Sequence, residues 1–448
     1  MSQSLSDLTT QLLGIARAAG AHSADVIAVR GTSVNIDVRQ GKLEQAERAE
    51  GIDLGLRVFI GQQQAIVSSS DPRPETLAVM AERAVAMAKE APADPHCGLA
   101  DASLLARDID CSKLELCDPT EEPEAGQLQD DARRAEAAAR ANPGITQIDS
   151  ASAGYSRRDI HLASSTGFSG GYARTDRGIS CVAISGSGTG MERDYDYDSR
   201  VFQTDLRSPE DIGQSAAVRA VAMQGARQPR TGTVAVLFDE RVAGSLIGHL
   251  LSAINGAAIA RGQSWLRDAM GMLVLPPGFD ITENPHRPRV SGSRMFDAEG
   301  LATTPRAIVR DGLLTTWTLD LATARKLGLD STGNATRSAS SAPSPSVSNI
   351  ALTPGKFNRD DLLAQMGTGL LVTSMLGSTI NPNTGDYSRG ASGFWVENGA
   401  VTYPVNECTI AGNLRDMLLR MVPGNDGRTH LSRVVPSILI DGMVLAGG

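Results

Sequence analysis

The chain is short of the residues that many site chemistries require. Its five cysteines, Cys97, Cys111, Cys117, Cys181 and Cys408, are odd in number and contain no CxxC pair, which argues against a disulfide framework or a zinc ribbon. The six histidines lie far apart. His249 and His286 come closest, at 37 residues, so no HxxxH, HExxH or His-x-His pair exists and a zinc site on one helix is excluded. A metal site assembled from distant residues, such as His249 with Cys408, stays open. Lysine supplies only five of the 42 basic residues, and aromatics are 4% of the chain. No apolar run approaches the length of a membrane span. The first twenty residues lack a basic n-region and contain Asp7, so no signal peptide is expected and the expected location is the cytoplasm. A net charge of −9 speaks against binding nucleic acid. Neither Ser185-Gly186-Ser187-Gly188 nor Gly390-Ala391-Ser392-Gly393 forms a nucleophile elbow, and Gly186–Gly190 lacks the lysine of a phosphate loop.

What remains is a globular composition, 41% hydrophobic and 21% charged, over a length of 448 residues that predicts two domains. The natural boundary is Gln228-Pro229-Arg230, giving an N-terminal domain at 1–228 and a C-terminal domain at 229–448. The predicted class is α+β. Just past the boundary, Val234–Phe238 is a continuous apolar run, as in a strand covered on both faces. Asp239 follows at an N-cap position. Val242, Leu246, Leu250 and Ile254, with Ile247 and Leu251 beside them, then form the stripe of a packed helix. The rest of the C-terminal half reads as short strands with turns at Asp311-Gly312, Asn398-Gly399 and Asp441-Gly442. Ser338–Ser348 is a low-complexity stretch, read equally well as a linker or as a loop ordered by its surroundings.

The N-terminal half contains a repeat. Short strands between Val26 and Ser69, with glycine turns at Gly31, Gly41 and Gly61, precede a helix opening at Pro74-Glu75. Strands between Ile148 and Ser187 precede another opening at Pro209-Glu210. The pentapeptide Arg-Ala-Val-Ala-Met occurs at 83–87 and again at 219–223, 136 residues apart, while the Pro-Glu pairs lie 135 apart. The shared strand-then-helix order predicts a duplicated unit. Along Glu192, Asp194, Asp196 and Asp198 the carboxylates alternate, so they share one face of a strand, and a solvated face is the expected reading. Ser331–Arg337, Gly385–Gly393 and Ala411–Leu414 combine small polar residues with glycine. Such backbone can approach a peptide and pair with its main chain.

The segments LFDERVAGSLIGHLLSAING (237–256), SWL (264–266), FDAEG (296–300), LDLATARKLGLDSTGNATR (319–337), SN (348–349), GDYSRGASGFWVENG (385–399) and ECTIAGNLRDML (407–418) resemble the PmbA/TldE proteins. These are the sister branch of TldD in the group called modulators of DNA gyrase. The resemblance implies a heterodimeric zinc peptidase for unfolded or small peptides, in which a TldD-like chain carries an HExxxH helix and a thiolate ligand. In the register set by Gly256, Ile247, Gly248 and Ser252 stand where the motif would have His, Glu and His. The segment 424–435, where the thiolate is expected, has no cysteine. The expectation is therefore a TldE-like subunit with no catalytic residue and no metal ligand of its own, the zinc belonging to a TldD-like partner. The candidate peptide contacts are Ser331, Gly333, Asn334, Arg337, Asn349, Gly393 and Asn413. The alternative is a homodimeric peptide-binding or regulatory protein without peptidase activity.

Overall fold

Two long antiparallel hairpins, laid side by side, make up the N-terminal half. In the computed structural model, which describes residues 3–447, helix α1 (Leu5–Ala18) leads into β1 (Ser23–Arg39), β2 (Lys42–Ile60), β3 (Gln63–Ser69) and α2 (Pro74–Glu90). After a linker, α3 (Ala125–Arg140), β4 (Ile145–Ser164), β5 (Ser169–Ser185), β6 (Glu192–Arg200) and α4 (Pro209–Ala222) repeat that order. The sheet runs β3-β2-β1-β4-β5-β6, so the two units meet back to back through antiparallel β1 and β4. Gly31 faces Gly51 across the first hairpin as Gly154 faces Gly178 across the second. The predicted short strands fuse into these long ones. Gly31 is not a turn residue, because its backbone stays extended within β1; the turn falls at Gln40-Gly41, where both φ angles are positive at 54° and 73°.

All four helices cover one face of this sheet. Leu5, Leu8 and Leu12 of α1, spaced along one helical face, pack with α2 on Val26, Ala28, Leu54, Leu56 and Val58. Each such leucine contributes about 1.5–3 kcal/mol by leaving water. α3 and α4 lie on Val34, Ile36 and Val38, and their contact is close because it is made of alanine and glycine. A Cβ on Gly213 would stand 2.0 Å from the Ala135 carbonyl. The opposite sheet face is left for the second half of the chain.

That half starts with β7 (Gly232–Phe238) and α5 (Glu240–Ala253), capped by the Asp239 carboxylate, which accepts the Arg241 amide at 3.2 Å. There follow α6 (Gly256–Ala260), β8 (Ile281–Glu283), the hairpin β9 (Arg306–Arg310) and β10 (Leu313–Leu314), and α7 (Leu321–Leu327). Next come the two-residue strands β11 (Ala335–Thr336) and β12 (Ser344–Pro345), then β13 (Ile350–Leu352) and α8 (Arg359–Met366). Long strands β14 (Gly369–Ile380), β15 (Asp386–Glu397) and β16 (Ala400–Asn413) precede α9 (Leu414–Leu419). β17 (Val422–Pro423), β18 (Arg433–Val434) and β19 (Ile438–Ala446) complete the order. The sheet β16-β15-β14-β7-β19-β17 closes on itself through an added β16–β19 pairing. β7 lies in its middle, parallel to β14 and antiparallel to β19. Val236, Leu237 and Phe238 are fully buried, with Leu237 in a core on the other side of the sheet from its two neighbours. This is the two-sided burial that the apolar run implied. The Asp311-Gly312 and Asn398-Gly399 turns are hairpin turns with positive φ at both residues. Asp441-Gly442 instead sits inside β19, where the register with β7 shifts.

Candidate functional site

On α5, the residues in the motif register supply no metal donors. Ile247 is fully buried in the barrel core. The Ser252 hydroxyl donates to the Gly248 carbonyl at 2.9 Å, within the helix. Gly248 lies under a cation: a Cβ there would stand 3.0 Å from Arg433 Nη1, and one on Gly244 would stand 3.7 Å from Arg433 Cδ. Arg433 comes from the segment 424–435 in which a thiolate was sought, and burial holds its pKa below the usual arginine value. A guanidinium lying along the Gly244–Gly248 face opposes a divalent cation in the same place. The one imidazole of the helix, His249, turns edge-on to Tyr387, with ring centroids 6.0 Å apart. Burial, and then the charge of Arg389, lower its pKa, and its buried Nε2 has no hydrogen-bond partner among the described residues. The Cys408 thiol donates to the Ala391 carbonyl at 3.1 Å, and burial pushes its pKa up to about 11. Among the described residues no three His, Cys, Asp or Glu side chains are grouped to hold a metal. These side chains do not fit zinc.

A second place is concave. Between the bare face of the N-terminal sheet and the loops of the C-terminal half lies a cleft of about 860 Å³. Its floor comes from Ile27, Val29, Ile160 and Leu162 on neighbouring strands, and its roof from segments 291–298 and 335–339. Tyr172 meets Phe296 edge to face at 5.6 Å at the apolar end. Arg158, Arg174, Arg294 and Arg337 supply positive charge, and Glu50, Asp53 and Asp297 negative.

A buried ion cluster fixes this cleft. Asp25 on β1 accepts from Arg57 Nε at 3.0 Å, and Arg337 of the C-terminal half also donates to it. Although burial alone would raise it, the two guanidiniums hold the Asp25 carboxyl below the ordinary range. Arg337 Nε and Nη2 are buried and have no hydrogen-bond partner among the described residues. Asp297 of the FDAEG segment accepts the amides of Glu299 and Leu301 at 2.9 and 3.0 Å with one oxygen, and that of Ala335 at 3.0 Å with the other. Burial raises the pKa of both Asp297 and Glu299, the latter to about 8.

Ser338–Ser348 is ordered by what it touches. It forms the β11–β12 turn, and its Ala339 carbonyl rests where a Cβ on Gly55 of β2 would come within 2.2 Å. The candidate peptide contacts do not converge. Arg337 lines the cleft. Asn334 and Asn349 are buried: the first donates to Glu283 at 2.8 Å, the second to Ser293 Oγ at 2.7 Å. The Ser331 hydroxyl donates to the Leu319 carbonyl at 3.4 Å, and Gly333 packs on Ala302 with φ of 66°. Asn413 caps α9, accepting the Arg415 amide at 3.0 Å. Gly393 lies within β15, where a Cβ would strike the Leu371 carbonyl at 1.9 Å.

The acidic run of β6 departs from the solvated face expected of it. Asp194, Asp196 and Asp198 are buried, not solvated. Asp194 pairs with Arg241 of α5 at 2.7 Å, and Asp196 with Arg207 and Arg219 at 2.7 and 2.9 Å. Asp198 pairs with Arg200 at 3.0 Å. The missed residues Asp25 and Arg57 each left a signal, a lone charge inside an apolar strand. Arg433 left none, since only the fold brings it to α5.

The chain matches the PmbA/TldA metallopeptidase models for domain 1 at residues 24–88, the central domain at 118–224 and the C-terminal domain at 231–447. It is 36% identical to the Escherichia coli O157:H7 metalloprotease PmbA over 95% of this chain and 92% of that one. It is also 36% identical to a PmbA homologue of Haemophilus influenzae over 99% and 96%. Among solved structures, a proposed modulator of DNA gyrase from Bacteroides thetaiotaomicron superimposes with a TM-score of 0.89 at 26% identity, covering 99% of this chain and 98% of that one. TldE of Thermococcus kodakarensis shares the fold, with a TM-score of 0.85 at 19% identity over 98% and 100%. The chain belongs to the PmbA/TldD metallopeptidase family.

Proposed function

We propose that this chain is the TldE-like, non-catalytic subunit of a heterodimeric zinc peptidase for unfolded or small peptides, its partner being a TldD-like chain that carries the metal. One observation carries this reading: Arg433 lies over Gly248, where the family's motif would place a glutamate. A site of that composition neither binds zinc nor activates water. The interdomain cleft then serves as a wall that holds peptide for the partner's chemistry. Five free thiols suit a reducing cytoplasm, where we place the complex.

The test is reconstitution. The purified chain and a TldD-like protein from the same genome are assayed separately and mixed, with gel filtration for assembly, a denatured-protein substrate for cleavage, and elemental analysis for zinc. A complex whose activity exceeds that of either chain, with zinc on the partner, is the expected result. Stoichiometric zinc on this chain alone, lost together with a peptidase activity of its own, would overturn the reading. A partner fully active alone, with no complex formed, would overturn it in favour of a homodimeric binding protein.

A further inference from the structure

We propose that the free edge of β2, from Lys42 to Asp53, binds an extended basic polypeptide as an added strand. β3 pairs only with Leu54–Ile60. Lys42–Asp53 is therefore hydrogen-bonded to β1 on one side and, among the described residues, to no backbone on the other. Its first ten residues are all exposed, whichever face their side chains take. An edge of this length is a template for main-chain pairing.

The second repeat shows what such an edge accepts. β6 pairs only with Arg177–Ser185, leaving the start of β5 as the corresponding edge. There the chain covers itself. The Thr175 amide donates to the Leu116 carbonyl at 3.0 Å, and the Asp118 amide donates to Thr175 Oγ1 at 2.7 Å. Gly51 and Gly178 hold matching places, each opposite a glycine of the preceding strand, so Arg48 corresponds to Thr175. At Arg48 the described chain offers carboxylates of Glu50 and Glu122 but no covering segment of main chain. By the same correspondence the amides of Ala46, Arg48 and Glu50 point outward, since amide direction alternates along the strand up to the bulge at Glu44, where the register with β1 shifts.

Charge decides the occupant. Lys42–Asp53 carries four carboxylates against two cations. A second copy of this edge would bring acid against acid, whereas a basic peptide is complementary. The edge also borders the cleft through Ala49, Glu50, Gly51 and Asp53, so an added strand passes along the cleft rim.

The experiment uses the isolated chain, so its failure leaves the heterodimer reading standing. The probe is a fluorescent peptide of alternating lysine and valine, about 12 residues long to match the edge, followed by anisotropy and hydrogen exchange. Saturable binding that weakens with salt and protects amides within 42–53 is expected. Ala46→Pro removes one outward donor without touching the β1 ladder and should weaken binding about tenfold, with the melting temperature kept. The double variant Glu47→Lys with Asp53→Lys leaves the backbone intact and should weaken it comparably. No binding, protection confined to other strands, or parent-like binding in both variants overturns the proposal. Self-association that Ala46→Pro abolishes, without peptide binding, overturns it in favour of a second copy.

Discussion

Glu299 is a carboxyl that the fold keeps protonated. Its folded pKa of about 8 stands above the ordinary 4.5, because burial and the neighbouring Asp297 both disfavour the anion. The folded chain thus holds a proton that the unfolded chain releases. The associated stability is complete below about pH 4.5 and is lost as the pH rises towards 8. Glu299→Gln keeps an acceptor for the Leu321 amide, now 2.8 Å from Glu299 Oε2, and removes the charge. It should melt above the parent at pH 9, with the difference vanishing by pH 5; equal melting temperatures at both pH values would contradict this. Gly213 and Gly248 give a second contrast at this scale. Both are helical glycines, yet a Cβ on Gly213 meets the Ala135 backbone at 2.0 Å, while on Gly248 it meets only the movable end of Arg433. Gly213→Ala should cost at least about 2 kcal/mol by forcing the helices apart. Gly248→Ala should be neutral or stabilising by up to about 1 kcal/mol, from helix propensity. Denaturant titration of the two variants measures both.

Among the elements, the strap of Ser338–Ser348 is held by contact, not by its own propensity. The Ala339 carbonyl lies where any side chain on Gly55 would go. Gly55→Val should therefore lift the strap, and limited proteolysis should cut within 338–348 in the variant but not in the parent, with the far-ultraviolet spectrum unchanged. An uncut variant would show that other contacts hold it. That strap also marks where reading the sequence stops. The β7–α5 unit, the Asp239 cap and the Asn398-Gly399 hairpin were legible because each follows from a local pattern or from a turn that needs positive φ. Gly31 was misplaced, because nothing local separates a mid-strand glycine from a turn glycine. The acidic run of β6 was read with the right face and the wrong environment: alternation fixes which side the carboxylates share, but not that Arg207, Arg219 and Arg241 come to meet them. In the site the same limit applies. That Ile247, Gly248 and Ser252 bear no imidazole or carboxylate was plain from the residues, whereas Arg433 beside Gly248 is a tertiary fact. Asn334 and Asn349 resembled binding-loop residues because a buried amide that fastens a turn has the same composition as an exposed one.

At the scale of the molecule, Asp25 is the joint between the two halves. It pairs with Arg57 of its own sheet and with Arg337 from across the cleft, and all three side chains are at most 5% exposed. Asp25→Asn strands two buried cations and should cost about 3–5 kcal/mol. Calorimetry should then show one transition for the parent and two for the variant, because the junction weakens more than either core; one undivided transition at the parent temperature would contradict this. The closed sheet has a consequence for how the chain is made. β7 needs β14 and β19 as neighbours, and β19 begins only at Ile438. The N-terminal sheet, by contrast, has all its strands by Arg200. On the ribosome the first half can therefore be finished while Val236, Leu237 and Phe238 wait, apolar and lacking at least one strand neighbour, for about two hundred more residues to emerge. Synthesis that pauses within this interval should increase the need for a chaperone far more than a pause within the first half.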